Sequence, residues 1–157
     1  MSLTVNTTIN GQAVSASAEA STSLLEFLRD ILEMKGSKLC CNTGECGACT
    51  VIYNGKPINS CVTMAADANG AEIITIEGLA NGDNLHPVQQ AFIDCDGFQC
   101  GFCTSGQIMS AVAVIREGNA KSDEHIREWM SGNICRCGAY PNIVAAVKQA
   151  SSRRGAK

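Results

Sequence analysis

Eight of the ten cysteines in this 157-residue chain fall into two groups of four, a pattern of thiols suited to metal binding. The first group is Cys41-x4-Cys46-x2-Cys49, with Cys61 after 11 further residues. Three thiols in one tight loop and a distant fourth is the plant-type spacing of a [2Fe–2S] cluster. Two irons lie close together, so a single loop must wrap them. Gly44 and Gly47 supply the positive φ and close approach that wrapping needs. The oxidised cluster is a dianion and reduction adds a further negative charge, so its sulfurs require backbone N–H donors. The second group is Cys100-x2-Cys103, then 31 residues, then Cys135-x-Cys137. On spacing alone it stays open between iron–sulfur and a four-thiolate zinc site, which also uses C-x2-C pairs.

Metal is expected rather than disulfides because of the compartment. Met1 to Asn6 shows no basic start, no apolar leader and no twin-Arg pair. The run Ala111 to Ile115 is far too short to span a bilayer. A cytosolic chain with reduced thiols is therefore expected. The net charge of −3, the pI near 5.3 and 4% aromatic content argue against nucleic-acid binding.

The elements that must carry the thiols differ between the halves. Leu3, Val5, Thr7 and Ile9 alternate, and Asn10-Gly11 signals a type I′ hairpin returning through Ala13 to Ala16. Ser23 and Glu26 form a capping box, which predicts a helix from Leu24 with Leu24, Leu25, Leu28, Ile31 and Leu32 as its apolar stripe and Gly36 as its C-cap. The cysteine loop follows, then a second hairpin (Thr50 to Tyr53, Asn54-Gly55, Lys56 to Cys61) and a strand at Ile73 to Ile76. This order fits a β-grasp. The second half predicts four short helices: one opening at Pro87, one capped by Thr104 and Gln107 and ended by Gly118, one capped by Ser122, and one opening at Pro141. The fold class is thus α+β, a β-grasp domain over 1–79 and a small four-helix-bundle domain over 80–157, with the boundary in the Gly/Asn/Asp-rich stretch between Gly78 and Leu85.

The segments Gly36 to Val51, His86 to Phe92, Gln99-Cys100-Gly101-Phe102-Cys103-Thr104 and Asn133-Ile134-Cys135-Arg136-Cys137-Gly138 resemble the small iron–sulfur subunit of molybdenum hydroxylases, the xanthine oxidase family. The resemblance covers nearly the whole chain. It implies a second [2Fe–2S] cluster on Cys100, Cys103, Cys135 and Cys137, beside the first on Cys41, Cys46, Cys49 and Cys61. It further implies a large partner subunit holding molybdopterin, often the cytosine dinucleotide form in bacteria, and a medium partner holding FAD. A dimer of such heterotrimers is compatible with it. Gln99 and Cys137 are implied to lie against the pterin. The implied role is electron transfer from the molybdenum centre through the two clusters to FAD, for oxidation of an aldehyde or N-heterocycle. No catalytic residue is expected on this chain. The alternative is a stand-alone two-cluster ferredoxin, which its modest charge fits poorly.

The chain departs from that family at Cys40, where Gly is usual, and at Thr104-Ser105-Gly106, where Thr-Pro-Gly is usual; Cys95 is an additional thiol. Cys40 is expected to bind no iron, because it would lengthen the first gap to five. Cys95 and Trp129 are expected in the core, His86 as a turn residue before Pro87, and Arg153-Arg154 in a solvated, frayed end. Arg136 is open between neutralising cluster charge and pairing across a subunit interface.

Overall fold

The computed structural model describes residues 1–153. Strands β1 (Ser2–Ile9) and β2 (Gln12–Glu19) pair antiparallel. Their turn holds Asn10 and Gly11 at φ 52° and 78°, the positive values a type I′ turn demands. β3 (Thr50–Tyr53) and β4 (Lys56–Asn59) form the second hairpin, and β5 (Glu72–Ile74) enters the sheet between the two hairpins. The sheet order is β2-β1-β5-β3-β4, with β1 and β5 parallel and every other pair antiparallel. The inward residues Val5, Ile9, Val51 and Ile73 bury Leu24, Phe27 and Leu28 from the segment that crosses the sheet.

That segment departs from the predicted single helix. The Ser23 capping box is present: Ser23 Oγ accepts from Glu26 N–H, and Ser23 N–H donates to the Glu26 carboxylate. The α-helical turn α1 (Leu24–Glu26) then widens into a π-turn over Phe27–Ile31 and stops, with Glu33 in the left-handed region. Gly36 is therefore not a C-cap. A Cβ there would lie 2.2 Å from Ile76 Cγ2, so Gly36 is small because another segment passes against it.

The second half contains α2 (Pro87–Asp94), α3 (Thr104–Arg116), α4 (Asp123–Trp129) and α5 (Tyr140–Ser151). Val88, Phe92, Ile115, Ile126, Ile143 and Val147 pack together as its core. His86 caps α2, accepting Val88 N–H on Nδ1, as its place before Pro87 suggests. α3 is buried from Gly106 to Ile115 because it has two neighbours. One side meets the other helices, and Met109 and Ala113 pack on Ile52 of β3.

Several side chains differ from expectation. Trp129 is 51% exposed, since α4 turns only Ile126 fully into the core. Cys103, not Thr104, stands at the N-cap of α3, and it makes no side-chain cap; the Thr104–Gln107 box is absent. Cys95 is half-buried against the helical core and donates to Gln149 Oε1. Arg153 is paired with Asp94 at 2.6 Å rather than free, while Arg154 and the rest of the expected frayed end lie outside the described residues. Among the described residues, no helix is long and apolar enough to cross a membrane.

Candidate metal centres

The loop from Cys41 to Cys49 is built around its own backbone. Gly44 and Gly47 both take left-handed φ, 81° and 68°. The Asn59 carboxamide donates to Gly44 C=O at 2.6 Å, and Ser60 Oγ donates to Cys49 C=O at 2.7 Å. These two bonds bring Cys61, in the turn after β4, up to the loop. Cys49 and Cys61 are buried together with Leu25 of α1. Cys41 sits nearer the surface and accepts N–H groups from Thr43 and Cys46, each at 3.4 Å.

The four thiols approach in twos. Cys41 stands beside Cys46, and Cys49 beside Cys61. The second group repeats the arrangement: Cys103 stands beside Cys135, and Cys100 beside Cys137. Among the described residues, no three His, Cys, Asp or Glu side chains converge as they would on a single ion. A two-iron cluster takes two thiolates on each iron, and neighbouring thiols of this kind suit it. The donor set therefore fits two diiron clusters.

Electrostatics points the same way. The Thr43 N–H, helped by that of Cys46, holds the Cys41 thiol down at about 5. Burial, with the neighbouring Cys49 thiol, pushes Cys61 up to about 11. Burial, with Cys135, pushes Cys103 up to about 12. The Phe102 N–H lowers Cys100, at the exposed edge of its group. Four thiolates packed so closely require a cation among them.

The second group spans the surface and the interior. Cys100 and Cys137 are exposed, Cys103 is half-buried and Cys135 is buried. Cys135 Sγ accepts Ala139 N–H at 3.4 Å, and its own N–H donates to the Tyr140 hydroxyl. Gln99, exposed, donates from Nε2 to Cys137 C=O at 3.4 Å, which unites the two residues singled out for the pterin. Cys40 and Arg136 are exposed.

The two groups are joined through the backbone. Ile134 N–H donates to Cys46 C=O at 2.9 Å, and Ile134 is bonded to Cys135. Asn133, buried, donates to Gly47 C=O at 3.1 Å. A Cβ on Gly47 would lie 2.5 Å from Asn133 Nδ2, and one on Gly106 would lie 2.1 Å from Gly47 O. The roles of Asn59, Asn133 and Ile134 were not anticipated from sequence; Asn133 and Gly47 are 86 residues apart, and no local pattern links them.

Comparison with known proteins gives a consistent picture. A family model for a 2Fe–2S iron–sulfur cluster binding domain matches residues 5–99, and one for a [2Fe–2S] binding domain matches residues 75–148. The chain is 50% identical to the aldehyde oxidoreductase iron–sulfur-binding subunit of Escherichia coli (strain K12), over 91% of this chain and 69% of that one. It is 42% identical to the nicotinate dehydrogenase small FeS subunit of Eubacterium barkeri, over 96% of each. Among solved structures, quinoline 2-oxidoreductase from Pseudomonas putida 86 superimposes with a TM-score of 0.92 at 37% identity, covering 96% of this chain and 94% of the matched one. The aldehyde oxidoreductase from Desulfovibrio gigas gives 0.89 at 39% identity; the match covers 96% of this chain but only 17% of that longer one.

Proposed function

We propose that this chain, which belongs to the small [2Fe–2S] iron–sulfur subunits of the molybdenum hydroxylase family, carries electrons from a molybdopterin centre on a large partner subunit to FAD on a medium one. It is an electron-transfer subunit of an oxidoreductase complex, not the subunit that transforms substrate. Residues 1–79 act as a β-grasp domain and residues 80–157 as a four-helix domain. The parallel centre of the five-stranded sheet and the two separate apolar cores support that division. Cys41, Cys46, Cys49 and Cys61 hold one [2Fe–2S] cluster; Cys100, Cys103, Cys135 and Cys137 hold the other. When bound, each cluster supplies a one-electron store that changes shape little.

The remaining chemistry belongs to the polypeptide. Backbone N–H groups at Thr43, Cys46 and Ala139 stabilise negative charge on sulfur. The Cys46 C=O to Ile134 N–H bond gives the two groups a bonded bridge. Gln99 and the exposed Cys137 face outward together, which suits contact with a pterin on the large partner. Exposed Phe98 and Phe102 lie beside the second group in sequence, and exposed Leu39, Val62 and Met64 beside the first. Such apolar residues suit two docking faces, one per partner. Relatives named for aldehyde, nicotinate and quinoline oxidation suggest an aldehyde or N-heterocycle as substrate class. Ten free thiols suit the reducing cytoplasm.

The observation that carries this reading is the four-plus-four cysteine pattern, one group in each of two stretches matched by [2Fe–2S] domain families, with the groups joined by the Ile134 to Cys46 backbone hydrogen bond. The test is anaerobic addition of an aldehyde or N-heterocycle panel to the complex purified through this chain. At least one compound is expected to produce the EPR signals of two reduced [2Fe–2S] centres, while the isolated chain stays unreduced. A chain that purifies without any molybdenum-containing partner would instead favour a free ferredoxin.

A further inference from the structure

Gln107 is only 1% exposed, yet its carboxamide nitrogen has no hydrogen-bond partner among the described residues. A buried donor left unmade is costly, so its presence calls for a partner. Its position identifies one. Gln107 N–H makes the first bond of α3, to Cys103 C=O at 3.0 Å. Residues four apart share a helix face, and side chains tilt toward the helix N-terminus. The Gln107 side chain therefore reaches back over Cys103. The capping role that would have occupied it is absent.

We propose that Gln107 Nε2–H donates to the Cys103 sulfur when the second group holds its cluster, and that this bond raises the cluster's reduction potential. The proposal rests on the reading of Cys103 as an iron ligand. A donor at sulfur stabilises the more negative, reduced state more than the oxidised one. A carboxamide does so without adding charge of its own, and reduction takes up one electron and no proton at Gln107. Cys103 and its pair Cys135 form the inner side of the group, toward the Ile134–Cys46 bridge. Gln107 also borders a cleft of about 360 Å³ beside Met130, Tyr140 and Ile143, where a water is the rival partner for Nε2.

The test is an EPR-monitored redox titration of the full chain carrying both clusters, with Gln107→Leu beside the wild type. At a fixed potential, the reduced-to-oxidised ratio of the second cluster is expected to fall about tenfold, a shift of about 59 mV for one electron. The first cluster should not move, which a general loosening of the fold would not achieve. Should the leucine variant fail to load, pulsed EPR on Gln99→Leu chain labelled with side-chain ¹⁵N-glutamine reads the same bond as a nitrogen coupling to the reduced second cluster. An unchanged potential in a loaded variant, or no such coupling, would overturn the proposal alone. A wild-type chain lacking a second cluster would overturn the ligand assignment as well.

Discussion

Replacing Gly106 with alanine is expected to lower stability by about 2 kcal/mol and to weaken the magnetic coupling between the two reduced centres. The new Cβ would stand 2.1 Å from Gly47 O, 2.9 Å from Ala48 Cα and 3.0 Å from Ala48 C. All three are backbone atoms of the loop between Cys46 and Cys49, so no side chain can swing aside. Alanine is the better helix former by about 1 kcal/mol, but overpacking costs about 1–3 kcal/mol or more, and the clash wins. Relief requires α3 to draw away from the loop. That movement would load the bond Gly47 C=O accepts from Asn133 of the helical half, at 3.1 Å. Iron content should hold, because no thiol is altered. Gly132→Ala is the control: open space surrounds that position, and its effect should stay within about 0.5 kcal/mol. Thermal unfolding and low-temperature EPR read both effects. A Gly106→Ala chain with wild-type melting and coupling would contradict the packing of loop on helix.

Cys103→Ser is expected to remove one EPR signal entirely and to halve the iron, from about four to about two per chain. Serine's oxygen keeps its proton near neutrality and is a much poorer ligand for cluster iron than a thiolate. Cys103 also stands at the N-cap of α3 and against the helical core, so the loss should lower stability too. Cys49→Ser is expected to do the converse, sparing the signal that Cys103→Ser removes. Cys137→Ser, at the exposed edge, tests the second group with less disturbance of the core. If Cys103→Ser abolished both signals while the chain stayed folded, the division of eight thiols into two independent groups would be wrong.

The sequence revealed what is local. The two hairpin pairs, Asn10-Gly11 and Asn54-Gly55, turn where expected, because type I′ geometry needs residues tolerant of positive φ and little else. The Ser23 box and the Gly118 stop are likewise contained within one turn of chain. The four-plus-four cysteine pattern marked two groups of thiols, the spacing of the second leaving it open between iron–sulfur and zinc. Features set by distant partners were not legible. Gly36 resembled a helix stop, but its smallness serves Ile76, forty residues later. Gly106 and Gly47 meet across the two halves, and neither neighbourhood hints at the other. Trp129 was expected in the core, but α4 covers that core at one edge only. Thr104 and Gln107 had the spacing of a box, but Cys103 occupies the cap position and leaves both side chains without that bond.

The most direct test is the content of iron, zinc and acid-labile sulfide in anaerobically purified chain. Two diiron clusters held by eight paired thiols predict about four irons and four sulfides per chain, with no zinc. Two irons with one zinc, or thiols joined as disulfides in a metal-free chain, would contradict that central claim.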